Sequence, residues 1–264
     1  MPDLTALLEL CKFAAAEAGA RLLHGITQLD KSYVHSVEHP REIKAIADTA
    51  LEKDILQALA PTGLPILSEE AGYIPSPRPS GRWFIVDPLD GTFNFVKGLG
   101  PSAVSIALWE DQKPIFGVIY SLMERELVWG GAGMGAYSDG RRLSVSDTSS
   151  QSHASICTGF PVRFDVTSDE AMQDFWRRVR PYAKVRMLGS AAVSLLHVAR
   201  GSADVYWERD IMLWDVAAGL AIVEGAGGRS VLTKAEGDSC HEVTASNAAL
   251  MPSIVGRHRS NDRV

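Results

Sequence analysis

Cysteine is nearly missing from this chain: Cys11, Cys157 and Cys240 are the three it has, far apart and odd in number. None forms a C-x-x-C pair, so the sequence offers neither a disulfide framework nor a cysteine-based zinc site. Buried thiols in a reducing compartment are expected instead. Basic charge is also in deficit, 26 Lys and Arg against 32 Asp and Glu, a formal −6. No broad basic surface follows, which argues against general nucleic-acid binding. An anionic small substrate is compatible with that balance, because bound metal ions reverse the local field. Met1-Pro2-Asp3 lacks the basic-then-apolar build of a signal peptide. No apolar run approaches the ~20 residues of a membrane span. Together these absences predict a cytoplasmic location and no membrane partner.

What is present reads as a globular chain. Its 264 residues, 46% hydrophobic and 22% charged, suffice for one large domain or two intimate ones. Leu4, Leu7, Leu8, Cys11, Ala15, Ala18 and Leu22 recur at helical spacing and predict an amphipathic helix over 3–24. A second helix is predicted over 45–60, stopped by Pro61-Thr62-Gly63. Pro65-Ile66-Leu67 reads as a short strand that delivers Ser68-Glu69-Glu70, and the three prolines of 74–82 as a loop.

From 102 to 145 the texture turns to β. Ala103–Glu110 and Pro114–Ser121 predict a hairpin around Asp111-Gln112, with Glu126–Gly130 as a further strand. Gly130, Gly131, Gly133 and Gly135 have neither the spacing nor the following helix of a nucleotide loop, so turns between antiparallel strands are expected. Past the polar stretch 146–153, strands (154–158, 183–187, 203–207) alternate with helices (168–180, 189–200, 214–225), the mark of an α/β layer structure. The expected organisation is an α+β part, 1–147, followed by an α/β part, 148–264. The basic end, Arg257-His258-Arg259 through Arg263, reads as a frayed terminus.

The chemistry concentrates at Trp83-Phe84-Ile85-Val86-Asp87-Pro88-Leu89-Asp90-Gly91-Thr92. A buried strand is expected to end at Asp87, Pro88 to turn the chain, and Asp90 to return beside Asp87. Two carboxylates that close repel unless a positive charge lies between them, and hard oxygen ligands suit Mg²⁺ or Mn²⁺. Gly91-Thr92 reads as a helix start whose free N–H groups favour phosphate. The alternative is an acidic turn that caps a helix. Glu69 and Glu70 close a strand as Asp87 does, so parallel neighbours would gather them at one sheet edge, where open α/β sheets bind ligands. Asp215 is expected to open a helix over Val216–Glu224, and Asp48 stands at the front of the second helix; for both, capping is the alternative.

Ser68-Glu69-Glu70, the run Trp83–Val96, and Trp214-Asp215-Val216-Ala217-Ala218-Gly219 with Glu224-Gly225-Ala226-Gly227-Gly228 follow one another in an order that resembles the inositol monophosphatase family. Its members are Mg²⁺-dependent, lithium-sensitive phosphatases. The resemblance implies an αβαβα sandwich, a homodimer, and two or three Mg²⁺ ions per site, with Mn²⁺ as a substitute. It implies that Glu69, Asp87 and the Leu89 carbonyl hold one metal, that Asp87, Asp90 and Asp215 hold a second, and that a third touches Glu69. Gly91 and Thr92 would meet the phosphate through backbone N–H groups. The Thr92 hydroxyl, oriented by Asp48, would position the attacking water with Glu69 nearby. No activated Ser or Cys with a base stands out, so a covalent phosphoenzyme is not expected.

By the same resemblance Arg186–Ala192 and Tyr206-Trp207-Glu208 face the alcohol half of the substrate. Glu208 would accept hydroxyls, and the small Ala191 would line the pocket together with Asp90 and Asp215. For Trp207, plain core packing is the favoured reading. Ala45 and Lys97 depart from the family's usual residues, and the loop 30–44, expected to cover the site, is atypical. Lys44, Lys97 or Arg186 could answer an extra anionic group, or simply be solvated. The expected activity is hydrolysis of a small polyol or sugar-like phosphate monoester, inositol monophosphate first. Histidinol phosphate, fructose 1,6-bisphosphate and 3′-phosphoadenosine 5′-phosphate are the rivals. A regulatory binding protein that retains the metal site is the alternative of another class.

Overall fold

The computed structural model describes residues 3–25, 32–35, 43–75, 81–234 and 240–254. Most of the expected loop 30–44, part of the proline-rich stretch and the basic terminus lie outside them. Among the described residues no helix is long and apolar enough to cross a membrane.

Two N-terminal helices, α1 (Leu4–Gly25) and α2 (Ile46–Leu59), flank a short hairpin of β1 (Tyr33–His35) and β2 (Ile43–Ala45). They cover one face of an eight-stranded sheet built from β3 (Ile66–Ser68), β4 (Gly72–Ile74), β5 (Arg82–Asp90), β6 (Ala103–Glu110), β7 (Lys113–Ser121), β8 (Glu126–Gly131), β9 (Gly135–Ser138) and β10 (Arg141–Arg142). The strand order is β10-β9-β8-β7-β6-β5-β3-β4, antiparallel throughout except that β3 runs parallel to β5. The glycines of 130–135 end β8 and begin β9, so the reading as an antiparallel turn holds. The six-residue helix α3 (Thr92–Lys97) follows β5 directly.

The second sheet contains β11 (Ser155–Cys157), β12 (Lys184–Arg186), β13 (Val205–Ile211), β14 (Arg229–Lys234) and β15 (His241–Ser246), in the order β12-β11-β13-β15-β14. Helices α5 (Ala191–Ala199) and α6 (Leu213–Gly225) lie between the sheets. The helix α4 (Asp169–Val179) packs its Phe175 on the outer face, against Trp207. The result is the five-layer αβαβα sandwich.

The continuous apolar run before Asp87 is explained by burial on both faces. Alternate side chains of a strand leave opposite sides. Phe84 and Val86 join Ile106, Leu108, Phe116 and Val118 under α1 and α2, while Trp83 and Ile85 join Ala107, Trp109 and Ile119 under α5 and α6. Asp87 continues the parity of Trp83 and Ile85, so it points into the middle layer, toward the start of α6.

Two local expectations need correction. Pro88 does not end the strand: β5 continues to Asp90, and the register with β6 shifts between Asp87 and Asp90. Such a bulge absorbs the missing proline N–H and re-aims the next side chains. Helix α6 begins at Leu213, not Val216, so Asp215 lies inside its first turn, where the carboxylate reaches back to the Met212 N–H at 3.1 Å. The apolar Leu213 and Trp214 conceal that start because they pack inward.

Candidate metal and phosphate site

The parallel pairing of β3 with β5 sets Ser68 opposite Val86, and the Glu69 N–H donates to the Val86 carbonyl at 3.2 Å. Glu69 and Asp87 therefore leave one sheet edge together, as expected, close enough that the charge of Glu69 raises the pKa of Asp87. Asp87 also accepts the Leu89 N–H at 2.9 Å, which curls the chain through the bulge. Carboxylate oxygens of Asp87, Asp90 and Asp215 lie within 4.8 Å of one another.

Asp90 is the most heavily tethered of the set. It accepts the Ser190 hydroxyl, the Ala191 N–H at 3.2 Å and the Ala192 N–H at 2.9 Å. These donors sit at the start of α5, where helix N–H groups lack intrahelical partners and a carboxylate is favoured. Burial pushes Asp90 up to about 6, against the pull of those hydrogen bonds. Burial and the Asp90 charge push Asp215 up to about 8, which the Met212 N–H and the Arg163 charge oppose. Burial and the neighbouring carboxylates likewise raise Glu69 and Asp87 well above the usual range.

Crowded acids that raise one another have a common remedy, a cation with hard oxygen ligands. The donor set of Glu69, Asp87, Asp90 and Asp215 fits a divalent ion of that kind, and the Leu89 carbonyl lies in the bulge between Asp87 and Asp90. That carbonyl accepts the Thr92 hydroxyl at 2.9 Å. The hydroxyl lies 3.5 Å from Asp48 Oδ1, while Asp48 Oδ2 accepts the Ala45 N–H at 2.8 Å. Burial raises Asp48 to about 7, with the Ala45 N–H pulling it down. Asp48 thus ties the start of α2 and faces Thr92 with the same carboxyl group.

Gly91 has φ of 82°, and a Cβ there would lie 2.9 Å from the Pro101 carbonyl oxygen, so only glycine lets the chain enter α3 here. Gly91, Thr92, Ala191 and Glu208 line one cleft of about 290 Å³ together with Glu69, Asp90 and Asp215. Glu208 is raised to about 8 by burial and by the charges of Asp215 and Asp90. Gly159 leaves it room, since a Cβ there would sit 2.9 Å from Glu208 Oε1. Trp207 has the opposite parity and stacks among Phe175 and Arg178, in the core as expected.

Sequence reasoning missed three residues around this site. Glu52 is buried, and its Oε1 accepts the Ser68 hydroxyl, the Glu70 N–H at 3.2 Å and the Ala71 N–H at 3.0 Å. It clamps the turn that carries Glu69. The Asp48–Glu52 spacing of one helical turn was the available signal. Ser190 gave none, because its partner is distant in sequence. Arg163 enters the cleft from the segment after β11. Of the basic residues singled out from the sequence, Lys44 pairs with Glu70 at 2.7 Å, and Lys97 and Arg186 are exposed; none of them lines the cleft.

Comparison with known proteins bears on what this arrangement does. A model of the inositol monophosphatase family matches residues 3–260. The fructose-1,6-bisphosphatase/inositol-1-monophosphatase of Aquifex aeolicus is 33% identical over 95% of this chain and 94% of its own. The inositol-1-monophosphatase of Rhizobium meliloti is 34% identical over 88% and 87%, and the Nus factor SuhB of Pseudomonas aeruginosa 34% over 84% and 83%. The solved inositol monophosphatase of Anabaena superposes with a TM-score of 0.83 at 32% identity, covering 98% of this chain and 97% of that one. The same five layers, and an acidic cluster suited to the family's metal dependence, agree with the match, and the chain belongs to the inositol monophosphatase family, as a phosphatase of phosphate monoesters.

Proposed function

We propose that this protein hydrolyses a small polyol or sugar-like phosphate monoester with Mg²⁺, inositol monophosphate being the lead substrate. The observation that carries the reading is the meeting of Asp87, Asp90 and Asp215 within 4.8 Å, with Asp90 and Asp215 lining a cleft that Glu208 also lines. Glu69, Asp87, the Leu89 carbonyl, Asp90 and Asp215 are the residues that would hold two or three ions, with Mn²⁺ as a substitute. Bound cations of this type lower the pKa of water, neutralise the phosphate dianion and stabilise the leaving alkoxide.

The chain's own residues do the rest. Backbone N–H groups of Gly91 and Thr92, at the start of α3 in the cleft, would meet the phosphate oxygens. The Thr92 hydroxyl, fixed between the Leu89 carbonyl and Asp48, orients the attacking water, and Glu69 stands beside it. Asp48 holds the Thr92 hydroxyl in that position from the start of α2. Glu208 and the Ala191 backbone receive the alcohol, with Asp90 and Asp215 at its base.

Phosphate release from a panel of monoesters, with Mg²⁺, EDTA and Li⁺ arms, tests the reading. Mg²⁺-dependent, Li⁺-inhibited release from a polyol ester is expected; no release from any ester would overturn it. A second reading, a binding role that keeps the metal site, draws on relatives named Nus factor SuhB. It gains if that panel is inert while the protein binds a transcription complex. The same proposal includes a cytoplasmic homodimer, tested by light scattering, and parts divided near residue 147, tested by limited proteolysis.

A further inference from the structure

Tyr206 and Glu208 leave β13 on one face, because alternate residues of a strand point to opposite sides. Val205 and Trp207 pack outward with Phe175, while Tyr206 joins the core between the two sheets. It is fully buried, yet its hydroxyl has no hydrogen-bond partner among the described residues. Buried polar groups are nearly always paired, and a buried phenol in particular finds a partner for its O–H. An orphan of this kind beside a cleft therefore asks what it is there to meet.

The groups around it belong to the site. Glu208, then Asp215 and Asp90, lie close enough for their charges to act on the phenol. Two of these acids are already engaged. Asp90 accepts from Ser190, Ala191 and Ala192, and Asp215 accepts the Met212 N–H at 3.1 Å. Both also belong to the carboxylate cluster that fits a cation. Glu208 is the acid outside that cluster, and Gly159, which flanks its Oε1, has no side chain to offer a donor.

The backbone holds the pair in place. Tyr206 is paired on both sides, with Cys157 of β11 and Ala245 of β15. Glu208 pairs with Val243 at the last regular position before the register shifts toward Ile211. Glu208 lines the cleft and Tyr206 does not, so the phenol sits behind the carboxyl group, where it can act on the substrate only through it.

We infer that the Tyr206 hydroxyl orients Glu208, donating to one carboxyl oxygen so that the other is aimed at the hydroxyls of the substrate's alcohol half. Tyr206 is thus a positioning residue. Hydrogen bonds of this kind tighten when the substrate is seated, and a carboxyl aimed beforehand loses less freedom on binding. The inference rests on the phosphatase reading above and adds the residue that sets the direction of Glu208.

Tyr206→Phe removes the hydroxyl and keeps the ring. With no partner lost from the fold, its melting temperature should not fall below that of wild type; a clear fall would show the hydroxyl already employed in the fold and overturn the inference. Steady-state kinetics with Mg²⁺ then compare inositol 1-phosphate with phenyl phosphate, whose alcohol half has no further hydroxyl. In Tyr206→Phe the ratio of kcat/KM for the first over the second should fall about 10-fold, carried by KM, as for one lost hydrogen bond to a charged group. A ratio unchanged within about 2-fold would sink the idea. Glu208→Ala and the double variant Tyr206→Phe/Glu208→Ala complete a cycle. Their ratios should agree within about 2-fold, since nothing is left to orient, and an equal fall in that background would mark Tyr206 as a packing residue. If wild type cleaves neither ester, the phosphatase reading fails instead, and calorimetric titration with inositol 1-phosphate takes its place. Weaker binding by Tyr206→Phe, with no further loss in the double variant, supports the pair. Equal binding by wild type and Tyr206→Phe, or none by wild type, removes it.

Discussion

Asp90, at the end of β5, accepts a hydrogen bond from the Ser190 hydroxyl, one hundred residues further along the chain. The same hydroxyl oxygen accepts the Val193 N–H at 3.2 Å and so caps α5. One serine therefore joins the first sheet to the helix layer and orients a carboxylate of the site. Residues that support a metal ligand in this way set its direction and its basicity.

Replacing Ser190 with Ala should weaken Mg²⁺ binding about 10–100-fold, while loss of the cap lowers stability by about 1 kcal/mol. Mg²⁺ titrations followed by calorimetry, beside a urea melt, separate the two effects. Asp90→Asn should abolish turnover with the fold intact by circular dichroism. Retention of most activity by that variant would remove Asp90 from the metal set.

Glu52 gathers three donors on one oxygen directly behind Glu69. Glu52→Ala would leave the buried Ser68 hydroxyl without its partner, at a cost of about 1–3 kcal/mol, and would release the Glu70 and Ala71 N–H groups to water. Glu52→Gln keeps an acceptor and should recover most of that stability. The expected signature is a Mg²⁺ requirement that shifts upward in Ala and much less in Gln. Equal Mg²⁺ requirements across the three proteins would reduce Glu52 to a fold residue.

Gly117 on β7 lets α6 come close to the sheet. A Cβ there would lie 2.1 Å from the Ala218 carbonyl oxygen, a backbone atom that cannot swing aside. Gly117→Ala should destabilise the protein by about 1–3 kcal/mol through overpacking. Because α6 carries Asp215, the shift should also reduce activity, as measured by kcat at saturating Mg²⁺. A variant as stable as wild type would show that α6 can move without cost.

Asp204 supplies a pH test away from the site. Burial alone would raise its pKa, but the Ser155 N–H at 2.7 Å and the Ser146, Thr148 and Ser155 hydroxyls outweigh it, and the net shift is downward. A carboxylate depressed in the folded state adds stability above its unfolded value of about 4. That contribution is lost as the pH falls through the folded value. Asp204→Asn should thus cost about 1–2 kcal/mol near neutrality, and the gap between variant and wild type should close below about pH 4. Urea melts over a pH series read it directly, and a constant gap would point to packing alone.

Much of the architecture is legible in the residues themselves. Helical spacing locates α1, α2, α4, α5 and α6, and alternation with turn residues locates the β6–β8 meander, because period and punctuation are local properties. The acids of the Asp87–Thr92 run are legible for a different reason: two carboxylates on either side of one proline repel unless a counter-charge lies between them. Boundaries failed where local signals conflicted with packing. Pro88 looked like a strand end, and the sheet carried it as a bulge; Asp215 looked like a cap, and α6 began earlier because Leu213 and Trp214 pack inward.

What the sequence determined by itself, then, is the chemistry: hard oxygen donors, no nucleophilic thiol, and a layered α and β chain in which to bury them. The tertiary structure decided which groups meet. Ser190 reaches Asp90 across one hundred residues, Glu52 clamps the turn behind Glu69, and Arg163, unremarkable in the sequence, faces the cleft where Lys44, Lys97 and Arg186 do not. The reason is physical. Propensity and periodicity act over a few residues, whereas the partner of a buried charge is set by how two sheets and their helices close on one another.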